Sequence, residues 1–194
     1  VGNHSLFLSK LFTKVYCFEP SPDIVGRLRT NIAINNLDNA FVLDYGLADR
    51  NGTAEYFRGQ NGNEGQGSFI GKGGQVADGV FSIRTGDEAF EDIGDAQLDF
   101  IKIDVEGFEL EVLRGLRETL AAQRPLVLFE WISESRSKVT AEGLIELFPV
   151  GYTLYGLSRS RKLLDRLRPA PVLSRVSFDF NCDYGNVLAV PCPS

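Results

Sequence analysis

The segment from Leu98 to Leu116, LDFIKIDVEGFELEVLRGL, constrains the fold more than any other part of the chain. An apolar run of strand type, Leu98–Val105, is followed by Glu106 and Gly107 and then by leucines at near-helical spacing. A glycine at this junction permits a close turn from strand into helix. The segment therefore predicts a strand, a tight turn and a helix in direct succession, as in the repeating unit of a parallel sheet.

The same alternation of strand and helix runs through most of the chain. Strands are predicted at 15–18, 40–43, 53–57, 80–85, 98–105, 126–131, 152–157 and 186–190, with helices near 6–12, 22–34, 85–93, 110–120 and 140–148. This order predicts an α/β fold, with a mainly parallel sheet and helices on both of its faces. No helix separates the last two strands, so we expect them to pair antiparallel at one edge.

Composition narrows the classes of function. With 194 residues and 43% hydrophobic content, the chain is predicted to form a single domain over 1–194, with a glycine-rich flexible insertion at 58–79. The net charge of −6 disfavours general binding to nucleic acid. The three cysteines lack metal-ligand spacing and are odd in number, so we predict neither a metal site nor a disulfide framework. No apolar run suits a membrane span, which favours a cytoplasmic protein. We expect an enzyme that acts on small molecules, and the sequence does not predict its oligomeric state.

Three predicted strands end in a carboxylate: VYCFE at Glu19, FIKID at Asp104 and VLFE at Glu130. Ligands of open parallel sheets bind outside the carboxyl ends of the strands. The alternative for each acid is a role at the start of the following helix. The position of Glu19 favours a functional role. An acid about 20 residues after a first glycine turn can accept hydrogen bonds from both hydroxyls of an adenosine ribose.

Lys102 and Asp104 lie two residues apart on one strand and therefore share a face, with Ile103 on the other. Charges in a central strand are costly unless they pair or serve a ligand, so a structural ion pair remains the alternative to a functional role. Glu106 and Glu109 add further acid at the same turn.

Two further features each have a common and a less common interpretation. His4 is the only histidine, and a lone histidine is more often a surface or core residue than a ligand contact. The stretch 158–168 is basic in an acidic chain: it is commonly a solvated loop, and otherwise an attraction for an anionic acceptor, a phosphorylated carrier or a membrane surface. Its basic residues are Arg159, Arg161, Lys162, Arg166 and Arg168.

Three segments together resemble one family: GNHSLFL near the start, VYCFEPSPDIVGRLRTNIAINN, and LDFIKIDVEGFELEVLRGL with VLFEW after it. Over nearly its whole length the chain is similar to the FkbM-type S-adenosylmethionine-dependent methyltransferases. The resemblance implies a Rossmann-like class I methyltransferase fold that uses S-adenosylmethionine and releases S-adenosylhomocysteine. It also implies a first strand and a D-x-G-A-N-x-G loop, of which only Val1 and Gly2 are represented, so we expect an N-terminally incomplete domain.

The resemblance also assigns candidate binding residues by their position in the motifs. Gly2 matches the last glycine of the first motif, near the donor's amino acid end, and Glu19 matches the ribose-binding acid. The segment DYG at 44–46 stands where adenine is expected, and Asp104 stands beside the methyl-transfer centre together with Glu106. The candidate cofactor-binding residues are Gly2, Asn3, His4, Glu19, Pro20, Asp44, Tyr45, Gly46 and Asp104.

Methyl transfer requires a sulfonium methyl group held in line with a nucleophile at about 3 to 3.5 Å, and a carboxylate can take the proton of a hydroxyl acceptor. Asp104 is the first candidate base, followed by Glu106 and Glu130. The resemblance implies a hydroxyl of a saccharide or a polyketide-type small molecule as acceptor. A scaffold protein that keeps the fold without turnover remains the alternative, whereas a nicotinamide-dependent oxidoreductase is disfavoured because G-x-G-x-x-G is absent.

Overall fold

The structure is a computed structural model that describes residues 2–58, 67–71, 73–94, 97–131, 133–157, 180 and 185–192. It divides into two compact units, Val1–Thr85 (unit 1) and Gly86–Ser194 (unit 2). The basic stretch at 158–168 lies outside the described residues, as does part of the insertion predicted at 58–79. None of the helices in the described ranges is long and apolar enough to cross a membrane.

Unit 1 contains helices α1 (Asn3–Leu8) and α2 (Pro22–Ile34) and strands β1 (Val15–Phe18), β2 (Ala40–Leu43), β3 (Gly46–Ala48), β4 (Gly52–Tyr56) and β5 (Gly79–Thr85). Strands β1 and β2 pair in parallel, while β5 lies between β3 and β4, parallel to the first and antiparallel to the second. The strands predicted around 15–18, 40–43, 53–57 and 80–85 are confirmed. Strand β3 was not predicted, because three residues are too few to show a period.

Helix α2 begins three residues after Glu19, the acid that directly follows β1. Pro22 occupies its first turn, where a missing N–H costs nothing, and Asp23 complements the helix dipole. Val25 and Leu28 are buried on its inner face. Asn36 adopts a left-handed conformation, with φ of 52°, and so ends the helix where the sequence predicted.

Unit 2 contains strands β6 (Phe100–Ile103), β7 (Leu126–Trp131), β8 (Tyr152–Leu157) and β9 (Gly185–Pro191) and helices α3 (Gly86–Ile93), α4 (Glu109–Arg114), α5 (Arg117–Gln123), α6 (Ser133–Arg136) and α7 (Ala141–Ile145). The strand order is β6-β7-β9-β8, in which β6 and β7 are parallel and β9 is antiparallel to both of its neighbours. The predicted antiparallel pairing of the last two strands is confirmed, with β8 at the edge.

The core of unit 2 contains the leucines whose near-helical spacing predicted a helix. Leu110, Leu113, Leu116 and Leu120 are fully buried. The single predicted helix is nevertheless divided into α4 and α5, because Leu116 leaves helical geometry with φ of −112°. Its side chain packs on Gly86, where an added Cβ would lie 2.3 Å from Leu116 Cδ2.

Candidate functional site

Three carboxylates meet at the carboxyl ends of β6 and β7 in unit 2. Asp104 follows β6, Glu106 lies in the turn after it, and Glu130 lies near the end of β7. Because β6 and β7 are parallel neighbours, with Ile103 opposite Phe129, their ends lie at the same edge of the sheet. Carboxylate oxygens of the three acids lie within 4.8 Å of one another. The structure thus brings together all three candidate bases.

Glu130 is the member of this cluster with the most perturbed acidity. Burial raises its pKa to about 7, and the carboxylates of Asp104, Glu106 and Glu109 act in the same direction, while Lys102 opposes them. Its Oε2 atom is buried and makes no hydrogen bond to any described residue. A carboxyl group that titrates near neutral pH can both accept and release a proton under physiological conditions.

Lys102 is the cation beside this cluster. Its Nζ lies 3.2 Å from Asp104 Oδ2 and donates hydrogen bonds to the carbonyl of Ile103 at 3.1 Å and to Asn186 Oδ1 at 3.5 Å. Asn186 lies on β9 directly opposite Glu130 in the register. The ion pair between Lys102 and Asp104, which the sequence left as the alternative to a functional role, is therefore present at the edge of the candidate site.

The turn that carries Asp104 and Glu106 has an unusual backbone. Glu106 and Gly107 are both left-handed, with φ of 50° and 93°. Glu109 does not face the cluster as a further open acid: its carboxylate is fully buried and accepts the N–H groups of Val105 and Gly107. The sequence grouped Glu109 with the acids of the turn but did not predict that it accepts backbone N–H groups there. The only local signal of this role was its spacing from Gly107.

Carboxylates this close together can share protons or hold a divalent cation. The cysteine spacing predicted no metal site, but it carries no information about ligand sets built from carboxylates. That the protein has no metal site therefore stays a prediction.

Glu19 follows β1 in unit 1 and is half-buried. Its Oε1 accepts the backbone N–H of Ser21 at 2.9 Å, across Pro20. Burial raises the pKa of Glu19, and the Ser21 hydrogen bond acts against that rise. Burial raises the pKa of the Tyr56 phenol, and the charge of Glu19 is the second largest cause of that rise. Glu19 is thus held by the chain through one oxygen at the end of its strand.

Gly2 precedes α1 in a left-handed conformation, with φ of 80°. A Cβ at this position would lie 2.5 Å from Leu28 Cδ1, so the backbone passes close to α2. Asn3 and His4 lie on the first turn of α1 and are exposed. All three predicted residues therefore belong to one surface turn.

The segment Asp44–Gly46 divides into residues with different surroundings. Asp44 is exposed and lies 3.8 Å from Arg29. Gly46 is buried in β3, where a Cβ would lie 2.6 Å from the ring of Phe69.

The ring of Tyr45, between these two residues, has aromatic and cationic neighbours. Its centroid lies 5.6 Å from that of Phe18 and 5.4 Å from the guanidinium carbon of Arg84. Tyr45 is thus the residue of this segment with a tilted aromatic neighbour and a guanidinium group over its ring.

Comparison with known proteins relates the chain to one family. Residues 6–152 match the Methyltransferase FkbM domain. The chain is 31% identical over 125 residues to the hexuronic acid methyltransferase AglP of Haloferax volcanii, covering 62% of this chain and 48% of that protein. It is 29% identical over 127 residues to the 2-O-methyltransferase NoeI of Sinorhizobium fredii, covering 57% of this chain and 51% of that protein. The chain thus spans about half the length of the curated relatives it matches.

A solved structure shows the same fold. The crystal structure of Methyltransferase FkbM from Methylobacillus flagellatus KT superposes with a TM-score of 0.58 at 18% sequence identity, covering 96% of this chain and 40% of that chain. The predicted Rossmann-like methyltransferase fold is therefore confirmed, and the domain match extends over most of the chain. The chain belongs to the FkbM methyltransferase family.

Proposed function

We propose that this protein transfers a methyl group from S-adenosylmethionine to a hydroxyl oxygen of a saccharide or a polyketide-type small molecule. Family membership supports methyl transfer, and the names of two relatives, a hexuronic acid methyltransferase and a 2-O-methyltransferase, support an oxygen acceptor of saccharide type. The observation that carries the proposal is Glu130, a carboxyl group with a pKa of about 7 whose oxygens lie close to those of Asp104 and Glu106.

Glu130 is the general base in this proposal, ahead of Asp104. A hydroxyl group is a poor nucleophile until its proton is taken, and a base with a pKa near the working pH combines availability with proton affinity. Asp104 already has Lys102 as a partner and is more exposed. Asp104 and Glu106 act through their charge, which keeps the proton affinity of Glu130 high.

Methyl transfer moves one proton, that of the acceptor hydroxyl group. As Glu130 accepts the hydroxyl proton, the acceptor oxygen forms a bond to the methyl carbon, and the carbon–sulfur bond breaks with its electron pair returning to sulfur. The donor supplies only the methyl group and leaves as S-adenosylhomocysteine. The residues of the chain hold the acceptor oxygen in line and store its proton.

Glu19 binds the donor's ribose in this proposal. Its Oε1 is occupied by the Ser21 N–H, which fixes the carboxylate while leaving acceptor capacity for ribose hydroxyls. Pro20 stiffens the backbone between them. Gly2, Asn3 and His4 are assigned to the amino acid end of the donor, and Tyr45, with Asp44 and Gly46 beside it, to the adenine.

Calorimetry of the full-length protein with S-adenosylmethionine tests this assignment. Glu19→Ala should weaken donor binding by on the order of 10- to 100-fold, the loss expected when hydrogen bonds to a charged group disappear. The matched control is Glu55→Ala, which removes an exposed carboxylate from β4 of the same unit and should leave affinity unchanged.

Each other outcome has a defined meaning. Unchanged affinity in Glu19→Ala removes the ribose assignment. A folded wild-type protein with no affinity for the donor favours the scaffold alternative, and displacement of the donor by a nicotinamide dinucleotide favours an oxidoreductase.

A further inference from the structure

Glu109 is a fully buried carboxylate for which the proposed reaction has no use. Its Oε1 accepts backbone N–H groups from Val105 at 3.3 Å and Gly107 at 3.1 Å. Its Oε2 accepts the hydroxyl of Ser135, itself fully buried, at 2.5 Å. A buried carboxylate is costly unless several donors satisfy it, and here three of them do.

Those hydrogen bonds hold a backbone that would otherwise relax. Glu106 is a non-glycine residue with φ of 50°, a conformation that costs on the order of 1–3 kcal/mol and persists only where surrounding contacts enforce it. Lys138 Nζ donates to the carbonyl of Gly107 at 2.9 Å, so that residue is bound at both its N–H and its carbonyl group.

The same contacts connect two strand ends that are distant in sequence. Ser135 and Lys138 belong to the segment that follows β7, the strand that carries Glu130, whereas Val105–Gly107 follows β6. Glu109 and Ser135 are 26 residues apart in the chain. A single side chain therefore connects the turn that contains Glu106 and directly follows Asp104 to the helix that follows the strand of Glu130.

We propose that Glu109 is a positioning residue: anchored by Ser135, its carboxylate fixes the left-handed turn at Val105–Gly107 so that Asp104 and Glu106 meet Glu130. This inference rests on the proposed function, in which those three acids form the catalytic cluster. It assigns to Glu109 and Ser135 no contact with donor or acceptor.

The test compares Ser135→Ala and Glu109→Gln with Asp87→Asn in the full-length protein. Ser135→Ala removes the anchor without changing any charge. Asp87 is a matched control in unit 2, because its carboxylate also accepts two backbone N–H groups, from Glu118 and Thr119, at a helix start without candidate catalytic residues. The readouts are kcat and KM for labelled donor, the thermal midpoint, and the titration of Glu130 followed by NMR of carboxyl-labelled glutamate.

Positioning predicts that Ser135→Ala lowers kcat by up to about 100-fold, since small displacements of reacting groups cost that much, while KM for the donor is unchanged. It also predicts a fall in the titration midpoint of Glu130 below about 7, because Asp104 and Glu106 would move away from it. Asp87→Asn should lower only the thermal midpoint.

The opposite pattern overturns the proposal: Ser135→Ala lowers the thermal midpoint as Asp87→Asn does but leaves kcat and the Glu130 titration unchanged, and Glu109→Gln leaves kcat unchanged. The Glu130 titration is read in Ser135→Ala alone, because Glu109→Gln also removes a charge that raises the pKa of Glu130. If Glu109→Gln fails to fold, Ser135→Ala decides alone. If the wild-type protein transfers no methyl group, the proposed function fails, and the NMR titration still decides the positioning role, with a lowered midpoint in Ser135→Ala supporting it and an unchanged one overturning it.

Discussion

Lys102 Nζ lies 3.2 Å from Asp104 Oδ2, and the lysine is the more buried partner, with 11% of its side chain exposed against 39% for the aspartate. The pair lies beside Glu130, whose pKa the lysine lowers and the aspartate raises. Lys102 therefore limits how far the neighbouring carboxylates raise the pKa of Glu130.

Removing that cation should shift the pH dependence of turnover. Lys102→Met is expected to raise the pKa of Glu130 above its value of about 7, because the charge that opposes its protonation is lost. The rising limb of the pH–rate profile should move to higher pH. Lys102→Arg, which keeps the charge, serves as the control, and a profile that does not move in Lys102→Met would refute the coupling.

Glu130→Gln should remove the general base and, with it, the pH-dependent contribution of Glu130 to the unfolding free energy. Turnover should fall by about 10²- to 10⁴-fold, the usual contribution of general acid–base catalysis. The folded pKa of about 7 exceeds the ordinary value of 4.5, so the folded state binds the proton more tightly. The Glu130 contribution is therefore most favourable below the ordinary value and is lost as pH rises towards the folded value.

Urea unfolding at a series of pH values measures this contribution. The difference in unfolding free energy between wild type and Glu130→Gln should decline as pH rises through that window. A difference that is constant across the window would show that the pKa of Glu130 is not raised.

Gly86 should not tolerate a methyl group. A Cβ there would lie 2.3 Å from Leu116 Cδ2 and 2.7 Å from its Cγ, so Gly86→Ala should lower the unfolding free energy by about 1–3 kcal/mol through overpacking. Gly26→Ala is the control, since α2 has open space at that position and alanine should gain about 0.5–1 kcal/mol there. Equal effects in the two variants would contradict the packing of Leu116.

Chelation should leave turnover unchanged. Asp104, Glu106 and Glu130 have oxygens within 4.8 Å of one another, a spacing that also suits a divalent cation. In our account Lys102 supplies the positive charge beside the cluster, so no cation is required. Activity lost on dialysis against EDTA and restored by Mg²⁺ would assign the cluster to a metal instead.

Local patterns predicted the parts of the site that depend on neighbours in sequence. The period-two spacing placed Lys102 and Asp104 on one face, and the ion pair between them is present. Helical leucine spacing predicted a helix at Leu110 and Leu113, and α4 is present there. Strand ends marked Glu19, and the structure holds it at the end of β1.

Features that depend on distant contacts could not be predicted in this way. The buried role of Glu109 requires Ser135, 26 residues away, and no local pattern marks that pairing. The raised pKa of Glu130 depends on which carboxylates face it after folding. The break between α4 and α5 falls at Leu116, which packs on Gly86, whereas the leucine spacing alone continues as one helix.

The central claim is tested most directly by incubating the full-length protein with methyl-labelled S-adenosylmethionine and a panel of saccharides that includes a uronic acid. The account predicts label in a methyl ether that is stable to mild base, with S-adenosylhomocysteine formed in equal amount and the product lost in Glu130→Gln. Label on nitrogen or in a base-labile ester, or no transfer by a protein that binds the donor, would contradict it.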